Sequence, residues 1–294
     1  MRMRRPTIAV TALLSLAALA ACGSPKDAGA TAAGTGSATG SATTAACAKA
    51  SLATLTAGKL TIATDKPVYE PWFVKDDPSN GKGFESAVGY AIATQLGYTK
   101  DEVVWARVPF NSVVSPGKKA FDFDLNEVSI TPERKKAVDF STGYYDVRQA
   151  VITYKGSPID GKTTVAELAG AKLGAQVGTT SLSAINDQIK PTTKPLVYDT
   201  NDLAVQALKN KQLDGVVVDL PTAFYAIGAQ LDNGVIVGQL PDAGGTPEQF
   251  GAVLDLGSPL TPCVSQAVDA LRAKGTLTEL ATTWLAQQGA PELK

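Results

Sequence analysis

The stretch EVSITPERKKAVDFSTGYYD, residues 127–146, holds the side chains best suited to binding a charged ligand. Thr131, followed by proline, is a helix-start pattern, because the hydroxyl can cap free amides and proline at the first helical position loses no hydrogen bond. The pattern places Arg134 in the first turn, where a cation opposes the helix dipole. A planar guanidinium there suits a carboxylate or phosphate held by two hydrogen bonds. The alternative from spacing alone is a surface ion pair with Glu133 or Asp139.

Composition limits the classes of function. The chain has 294 residues, enough for two domains with a substantial core. Its net charge is −1, and nothing in the composition suggests nucleic-acid binding, which needs a clustered basic face, so we expect no nucleic-acid partner. It contains no histidine, which excludes a Ser-His-Asp triad, a Cys-His pair and any histidine-ligated metal site. We therefore expect no enzyme activity, no metal and no cofactor, although carboxylates or lysines could still act as acid or base.

The first 22 residues have the features of a secretory signal peptide. Three arginines lie within the first five residues, and the apolar run over residues 8–21 is too short to span a bilayer. The run ends in LAACG, which resembles the bacterial lipobox, where cleavage leaves Cys22 N-terminal and diacylated. The resemblance implies export and a lipid anchor on the outer face of the cell membrane. Residues 23–46 are almost entirely Gly, Ala, Ser and Thr, a composition typical of a flexible tether.

The three cysteines fit this interpretation. If Cys22 carries lipid, Cys47 and Cys263 remain in an oxidising compartment, and we predict a disulfide between them. The alternative is two unrelated buried thiols. A disulfide would join the start of the folded body to a late helix and restrict the unfolded chain by closing a long loop.

From Lys59 onward, strand and helix patterns alternate. The predicted strands cover residues 60–63, 103–108, 121–125, 150–154, 172–177, 215–218 and 249–254. The predicted helices cover residues 84–92, 164–170, 201–209, 263–273 and 277–287. Repeated strand–helix units predict an α/β protein with mostly parallel sheets and a ligand at the carboxyl ends of the strands.

The string SITPERKKAVDFSTGYY closely resembles the signature of the family 3 solute-binding proteins of ABC importers, which bind polar amino acids. The stretch LTIATDKPVYEPWF resembles the first strand and aromatic loop of that family, and Gly83-Phe84-Glu85 resembles its helix start. The resemblance covers about residues 59–287. It implies a two-lobed, type II periplasmic-binding-protein fold in which each lobe is a mostly parallel sheet flanked by helices, with the ligand in the interlobe cleft. The expected lobes are 47–151 with 249–294, and 152–248.

The resemblance also implies a ligand site. The family's arginine that holds the α-carboxylate of the ligand falls on Arg134, and its assisting hydroxyl falls on Ser129. The turn that completes this carboxylate site from the second lobe implicates Thr179 and Thr180. The aspartate that pairs with the ligand's ammonium falls on Asp219. Three aromatic residues would wall the pocket, although they could be ordinary core residues: Tyr69, Trp72 and Phe110.

The sequence departs from the family pattern in two places. Relatives mostly carry small residues where this chain has Asn126 and Glu127, and the link over residues 115–121 is longer and richer in lysine. Glu127 could bind a cationic side chain of the ligand, or it could be neutralised by Lys118 or Lys119.

The resemblance implies an extracytoplasmic solute-binding lipoprotein. It would capture a polar amino acid by hinge closure and deliver it to the transmembrane subunits of an ABC permease, and we expect a monomer. The alternative is an enzyme on the same scaffold, such as a dehydratase, for which Glu127 is the evident cleft acid or base. A third class, the non-transporting sensor domain, normally continues into a membrane helix and a signalling segment.

Overall fold

The computed structural model describes residues 47–242, 244, 247–285 and 289–294. The predicted signal peptide over residues 1–22, its lipidation site Cys22 and the predicted tether over residues 23–46 lie outside the described residues. Within the described residues, no helix has the length and apolar character that a membrane span requires.

The strands agree closely with the hydrophobic pattern of the sequence. In chain order they are β1 (Leu60–Thr64), β2 (Val103–Arg107), β3 (Phe123–Asp124), β4 (Asp139–Val147), β5 (Gln149–Tyr154), β6 (Leu173–Gln176), β7 (Leu196–Tyr198), β8 (Gly215–Asp219), β9 (Gly234–Gln239) and β10 (Glu248–Leu254). The predicted strand over residues 121–125 is reduced to the two residues of β3, and β4, β7 and β9 were not predicted.

The helices lie mainly between these strands. They are α1 (Phe84–Gln95), α2 (Phe110–Val114), α3 (Thr180–Ala184), α4 (Asn201–Lys209), α5 (Leu220–Tyr225), α6 (Thr261–Ala273) and α7 (Thr276–Trp284). One π-helical turn extends α3 over Ile185–Ile189, and another extends α5 over Ala226–Gln230. Single 3₁₀ turns cover Lys49–Ser51, Pro78–Asn80, Lys100–Glu102, Arg134–Lys136 and Val165–Leu168.

The first sheet has the strand order β2-β1-β3-β10-β4. The β1 strand is parallel to both β2 and β3, whereas β10 is antiparallel to β3 and β4, so the sheet is mixed. The apolar faces of α1 and α6 share one buried cluster with β1, in which the side chains of each helix recur at helical spacing. Members of this cluster include Leu60, Ile62, Val88, Ile92, Val264 and Val268. We call the part of the protein built on this sheet the first lobe.

The second sheet has the order β7-β6-β8-β5-β9 and is mixed in the same way. The β6 strand is parallel to β7 and β8, and β5 is antiparallel to β8 and β9. Apolar side chains pack against both faces of this sheet in two further clusters. We call this part the second lobe.

The chain passes between the lobes where strands of the two sheets follow each other directly. Only Arg148 separates β4 from β5, and the return to the first lobe lies between β9 and β10. The C-terminal residues differ from the expected boundary, because they pack on the second sheet: Leu293 lies in a second-lobe cluster, and Glu292 bridges to Gln239. Residues 289–294 therefore belong with the second lobe in our division of the chain.

A disulfide joins Cys47 to Cys263, as predicted. The two residues are 216 positions apart, and Cys263 lies in α6. The disulfide thus ties the beginning of the described chain to the helical layer of the first lobe.

The start of α1 depends on glycine. Gly83 has a φ of +94°, a region that side chains disfavour, and a Cβ placed there would come within 2.6 Å of the Phe73 Cα. This close approach lets α1 begin at Phe84 and turns the next residue, Glu85, into the protein interior, where it is 0% exposed.

Candidate functional site

A small cavity of about 50 Å³ lies between the lobes, at the carboxyl ends of the parallel strands. Asp65 follows β1, and Glu127 and Ser129 follow β3. From the second lobe, Asp219 ends β8 and Thr180 begins α3. The lining residues are Asp65, Pro67, Val68, Tyr69, Phe110, Asn126, Glu127, Ser129, Arg134, Gln176, Thr179, Thr180, Ser181, Asn201 and Asp219. With the exception of Trp72, the predicted ligand-binding residues all line this cavity.

Arg134 lies in a 3₁₀ turn and not in the predicted helix. Its backbone N–H donates to the Thr131 hydroxyl over 3.1 Å, so the expected cap is present, but the turn covers only Arg134–Lys136. The β4 strand begins at Asp139 and leaves no room for a helix. The prediction of a helix here is therefore wrong, whereas the predicted capping role of Thr131 is confirmed.

The Arg134 guanidinium spans the cleft. One amino group donates to the Ser129 carbonyl over 2.7 Å, and the other donates to the Gly178 carbonyl of the second lobe over 2.9 Å. The guanidinium carbon lies 5.4 Å from the centroid of the Phe110 ring. Burial lowers the pKa of Arg134, while the charges of Glu248 and Asp219 oppose that shift, so the group stays a cation.

Glu248 connects the two predicted hydroxyl residues. Its Oε1 accepts hydrogen bonds from the Ser129 hydroxyl and, over 2.5 Å, from the Thr180 hydroxyl. The Gln149 amide lies 3.2 Å from the other carboxylate oxygen of Glu248. The same amide donates to Asp219 Oδ1 over 2.7 Å. Sequence reasoning did not identify Glu248 or Gln149.

Glu127 occupies an unusual backbone position at the cavity. Its φ is +53°, in the left-handed region that residues other than glycine rarely adopt. Its N–H donates to Glu85 Oε1 over 2.7 Å, and its own Oε2 accepts from the Thr222 hydroxyl over 2.9 Å. Burial and the nearby charges of Glu85 and Asp219 raise the pKa of Glu127 well above its usual range.

Of the two possibilities left open for Glu127, neutralisation by Lys118 or Lys119 does not occur. The Lys119 ammonium donates to the backbone carbonyls of Ser112 and Ser115. Both Lys118 and Lys119 line a surface groove next to Asp255. Neither lysine therefore neutralises Glu127, whose Oε2 accepts from Thr222 of the second lobe.

The aromatic residues of the first lobe take different positions. Tyr69 and Phe110 line the cavity, and the Tyr69 hydroxyl also donates to Asp202 of the second lobe over 2.8 Å. Trp72 is 0% exposed in the first-lobe core and does not line the cavity, contrary to the expectation. Its indole N–H nevertheless reaches the second lobe, where it donates to the Thr222 hydroxyl over 2.8 Å.

Asp219, at the end of β8, lines the cavity from the second lobe. Burial is the largest influence on its carboxyl group, and together with the charge of Glu248 it raises the pKa of Asp219 well above the usual range. The Gln149 amide and Arg134 act in the opposite direction. A cation placed beside Asp219 would lower this raised pKa, because it favours the ionised carboxylate.

Some lining residues were not predicted, and the sequence indicates them to different degrees. Three of them are Asp65, Gln176 and Asn201. Asp65 and Gln176 stand at the carboxyl ends of β1 and β6, where the strand-end rule would have found them. Asn201 begins α4, and its N–H donates to the Gln176 side chain over 2.9 Å, a contact that only the tertiary structure reveals. Within the described residues, no group of three or more Cys, Asp or Glu side chains is arranged to hold a metal ion.

The chain is similar to a known protein family and to several named proteins. The family model described as bacterial extracellular solute-binding proteins, family 3, matches residues 60–287. The chain is 29% identical to ABC transporter arginine-binding protein 1 of Escherichia coli over 70% of its own length and 82% of that protein. It is 28% identical to the L-arginine-binding protein of Pseudomonas aeruginosa over 75% of its own length and 88% of that protein. An ancestral arginine-binding protein, solved with glutamine bound, superimposes with a TM-score of 0.65 at 28% identity, covering 77% of this chain and 97% of that one.

Proposed function

The chain belongs to the bacterial extracellular solute-binding proteins of family 3, and on that premise we propose that it captures a cationic amino acid for an ABC importer. It is a binding protein and not an enzyme, as are the named relatives it resembles. The names of those relatives, which specify arginine, support a cationic ligand.

The observation that carries the choice of ligand is the charge of the cavity. Asp65, Glu127 and Asp219 line it together with a single cation, Arg134. The carboxylate and ammonium of an amino acid would match Arg134 and Asp219. Two acidic side chains then remain, and a cationic side chain on the ligand would offset their burial.

The residue roles follow from these positions. Arg134 would hold the α-carboxylate through charge-assisted hydrogen bonds, with Ser129 and the start of α3 beside it. Asp219 would accept from the ammonium. Tyr69 and Phe110 would lie on either side of the ligand's side chain, whose cation would meet Glu127 or Asp65.

Hinge closure would couple binding to transport. Hydrogen bonds already cross from lobe to lobe at Tyr69–Asp202, Trp72–Thr222 and Arg134–Gly178. The cavity of about 50 Å³ holds only a few water molecules, since each needs about 10–15 Å³. A long side chain therefore enters only when the lobes separate, and a ligand that bridges both lobes favours the closed state. The closed form would then dock on the permease.

We also propose that the protein is a lipoprotein. The support is the lipobox-like LAACG, which ends at Gly23, and the Gly-, Ala-, Ser- and Thr-rich stretch that follows it. Metabolic labelling with a fatty acid should mark the wild-type protein and leave Cys22→Ser unlabelled. Labelling of the variant would contradict the assignment.

A thermal-shift panel of the common amino acids tests the proposed function. A ligand present at about 100 times its Kd stabilises the folded state by about 2.7 kcal/mol. For a protein of this size that raises the melting temperature by roughly 5–10 °C. We expect arginine and lysine to give the largest shifts. A shift with acidic amino acids alone, or with none of the twenty, would rule out the proposed ligand class.

A further inference from the structure

Glu248 stands at the return connection between the lobes, as the first residue of β10. Its half-buried carboxylate gathers donors from both lobes. Ser129 belongs to the first lobe, whereas Thr180 and Gln149 belong to the second. These contacts join residues that are 119, 68 and 99 positions from Glu248 along the chain. The carboxylate is thus an internal bridge across the cleft.

The number of hydroxyl hydrogens limits what Ser129 and Thr180 can do for a ligand. Each hydroxyl has one hydrogen to donate, and in the structure both are directed at the same oxygen of Glu248. The two hydroxyl oxygens lie 3.2 Å apart, so the bridge also fixes them against each other. While Glu248 holds these hydrogens, the hydroxyls offer only lone pairs to the cavity. The ligand's carboxylate must then be bound mainly by Arg134.

We propose that Glu248 is a positioning residue that acts through Ser129 and Thr180. By holding one hydroxyl from each lobe, it stabilises the closed arrangement in which Arg134 and Asp219 face the same cavity. The inference deepens the proposed function and rests on it for the identity of the ligand. Opening of the cleft would separate Ser129 from Thr180 and break these hydrogen bonds to Glu248. The hydrogen bonds therefore favour the closed state.

If Glu248 instead competed with the ligand for the two hydroxyls, its removal would have the opposite effect on binding. A cavity of about 580 Å³ lies on the other side of Glu248 and is lined by Thr180, Gln149 and Glu248 itself. If the ligand's carboxylate displaced Glu248 into that space and took its two hydroxyl donors, Glu248 would be a competitor. Its removal would then strengthen binding.

The first experiment measures the Kd of L-arginine for the wild type, Glu248→Gln and Glu248→Ala by calorimetry. Glu279→Gln is the control, because it removes an exposed carboxylate in α7 outside the cleft. We expect Glu248→Gln to raise Kd about tenfold and Glu248→Ala to raise it at least as much. An unchanged Kd or a lower Kd overturns the proposal, and a lower Kd identifies the competitor.

A double-mutant cycle tests whether Glu248 acts through the hydroxyls. In a Ser129→Ala, Thr180→Val background, Glu248→Gln should change Kd less than twofold, because both hydroxyls through which Glu248 acts are gone. A tenfold loss in that background would mean that Glu248 acts by another route and would overturn the proposal. A general loss of stability would produce such additive effects.

Small-angle X-ray scattering without ligand separates failure of this inference from failure of the proposed function. If the wild type binds no cationic amino acid, the proposed function fails, yet the bridge is still testable. We expect Glu248→Ala to give a larger radius of gyration than both the wild type and Glu279→Gln. Equal radii for the three proteins would overturn the role of Glu248 in closure.

Discussion

The Thr222 hydroxyl donates to Glu127 Oε2 over 2.9 Å, so a second-lobe side chain holds the carboxylate of a first-lobe residue. The same hydroxyl accepts a hydrogen bond from the Trp72 indole over 2.8 Å. Its donor and one acceptor site are therefore both used, and the three side chains form a chain across the cleft. Because the partner of Glu127 lies on the other lobe, opening of the cleft would free this carboxylate to meet an incoming cation.

Glu127 should couple ligand binding to proton release. Its raised pKa means that the carboxyl group carries a proton more often than an exposed glutamate does. A ligand cation beside it lowers that pKa, so binding should release protons and become tighter as pH rises toward the raised value. Calorimetry of arginine binding in buffers of different ionisation enthalpy measures the number of protons released.

Glu127→Gln is the matched variant, since it keeps the shape and an oxygen that can accept from Thr222. It should release fewer protons and bind arginine more weakly than the wild type, while its affinity for a neutral amino acid changes less. The same proton release in the variant would remove Glu127 from this role.

Arg134→Ala should abolish measurable binding. The loss leaves a ligand carboxylate buried without its partner, which costs about 3–5 kcal/mol, or more than a hundredfold in Kd. Arg134→Lys should also bind poorly, because an ammonium cannot reproduce the planar two-hydrogen-bond grip. Calorimetry provides the measurement. Lys135→Ala, an exposed cation in the same 3₁₀ turn, is the control and should bind normally. Wild-type affinity in Arg134→Ala would move the carboxylate site elsewhere.

Sequence patterns were most accurate where one element buries a regular apolar face. The predicted helix over residues 201–209 has the bounds of α4, and the predicted strand over residues 215–218 forms β8 together with Asp219. These elements repeat the helical or strand period over several turns or residues, so local pattern and tertiary packing agree. The same regularity placed Ser129 and Asp219 after predicted strands, whereas their roles in the site came from the resemblance to the family.

The failures have tertiary causes. A Thr-Pro start predicts a helix, but it cannot show that β4 begins at Asp139, only three residues after the 3₁₀ turn ends. Trp72 is an aromatic residue of the kind that often walls a pocket, yet the aromatic rings of the core, such as Phe84 and Phe250, enclose it. Glu248 lies in no local pattern that indicates a site. Only the approach of Ser129 and Thr180 from distant parts of the chain gives it a role.

Asp219→Asn should distinguish ligands by their ammonium group. The variant keeps an oxygen that can accept from the Gln149 amide but loses the charge that would pair with the ammonium. We expect arginine to bind about 30-fold to several thousandfold more weakly, since removing one partner of a buried charged pair costs about 2–5 kcal/mol. The 2-hydroxy analogue of arginine, which has no ammonium, should lose little affinity relative to its binding to the wild type. A parallel loss for the two ligands would show that Asp219 does not contact the ammonium.

Glu85 should make the protein less stable as pH rises from about 4.5 to about 7. Burial raises the pKa of Glu85 from 4.5 to about 7, against hydrogen bonds from the Tyr144 hydroxyl and the Glu127 N–H. Its Oε2 is buried, with no hydrogen-bond partner in the described chain. Between those two pH values the folded state binds more protons than the unfolded state, so the free energy of unfolding falls as pH rises. For one group the fall is up to about 1.4 kcal/mol per pH unit, and the free energy levels off above the folded pKa. Asp124, Glu127 and Asp219 have pKa values raised in the same direction and should add to the slope. Urea denaturation over a pH series measures this slope. Glu85→Gln should reduce the slope, because the amide does not titrate. A wild-type slope in the variant would show that Glu85 is not the titrating group.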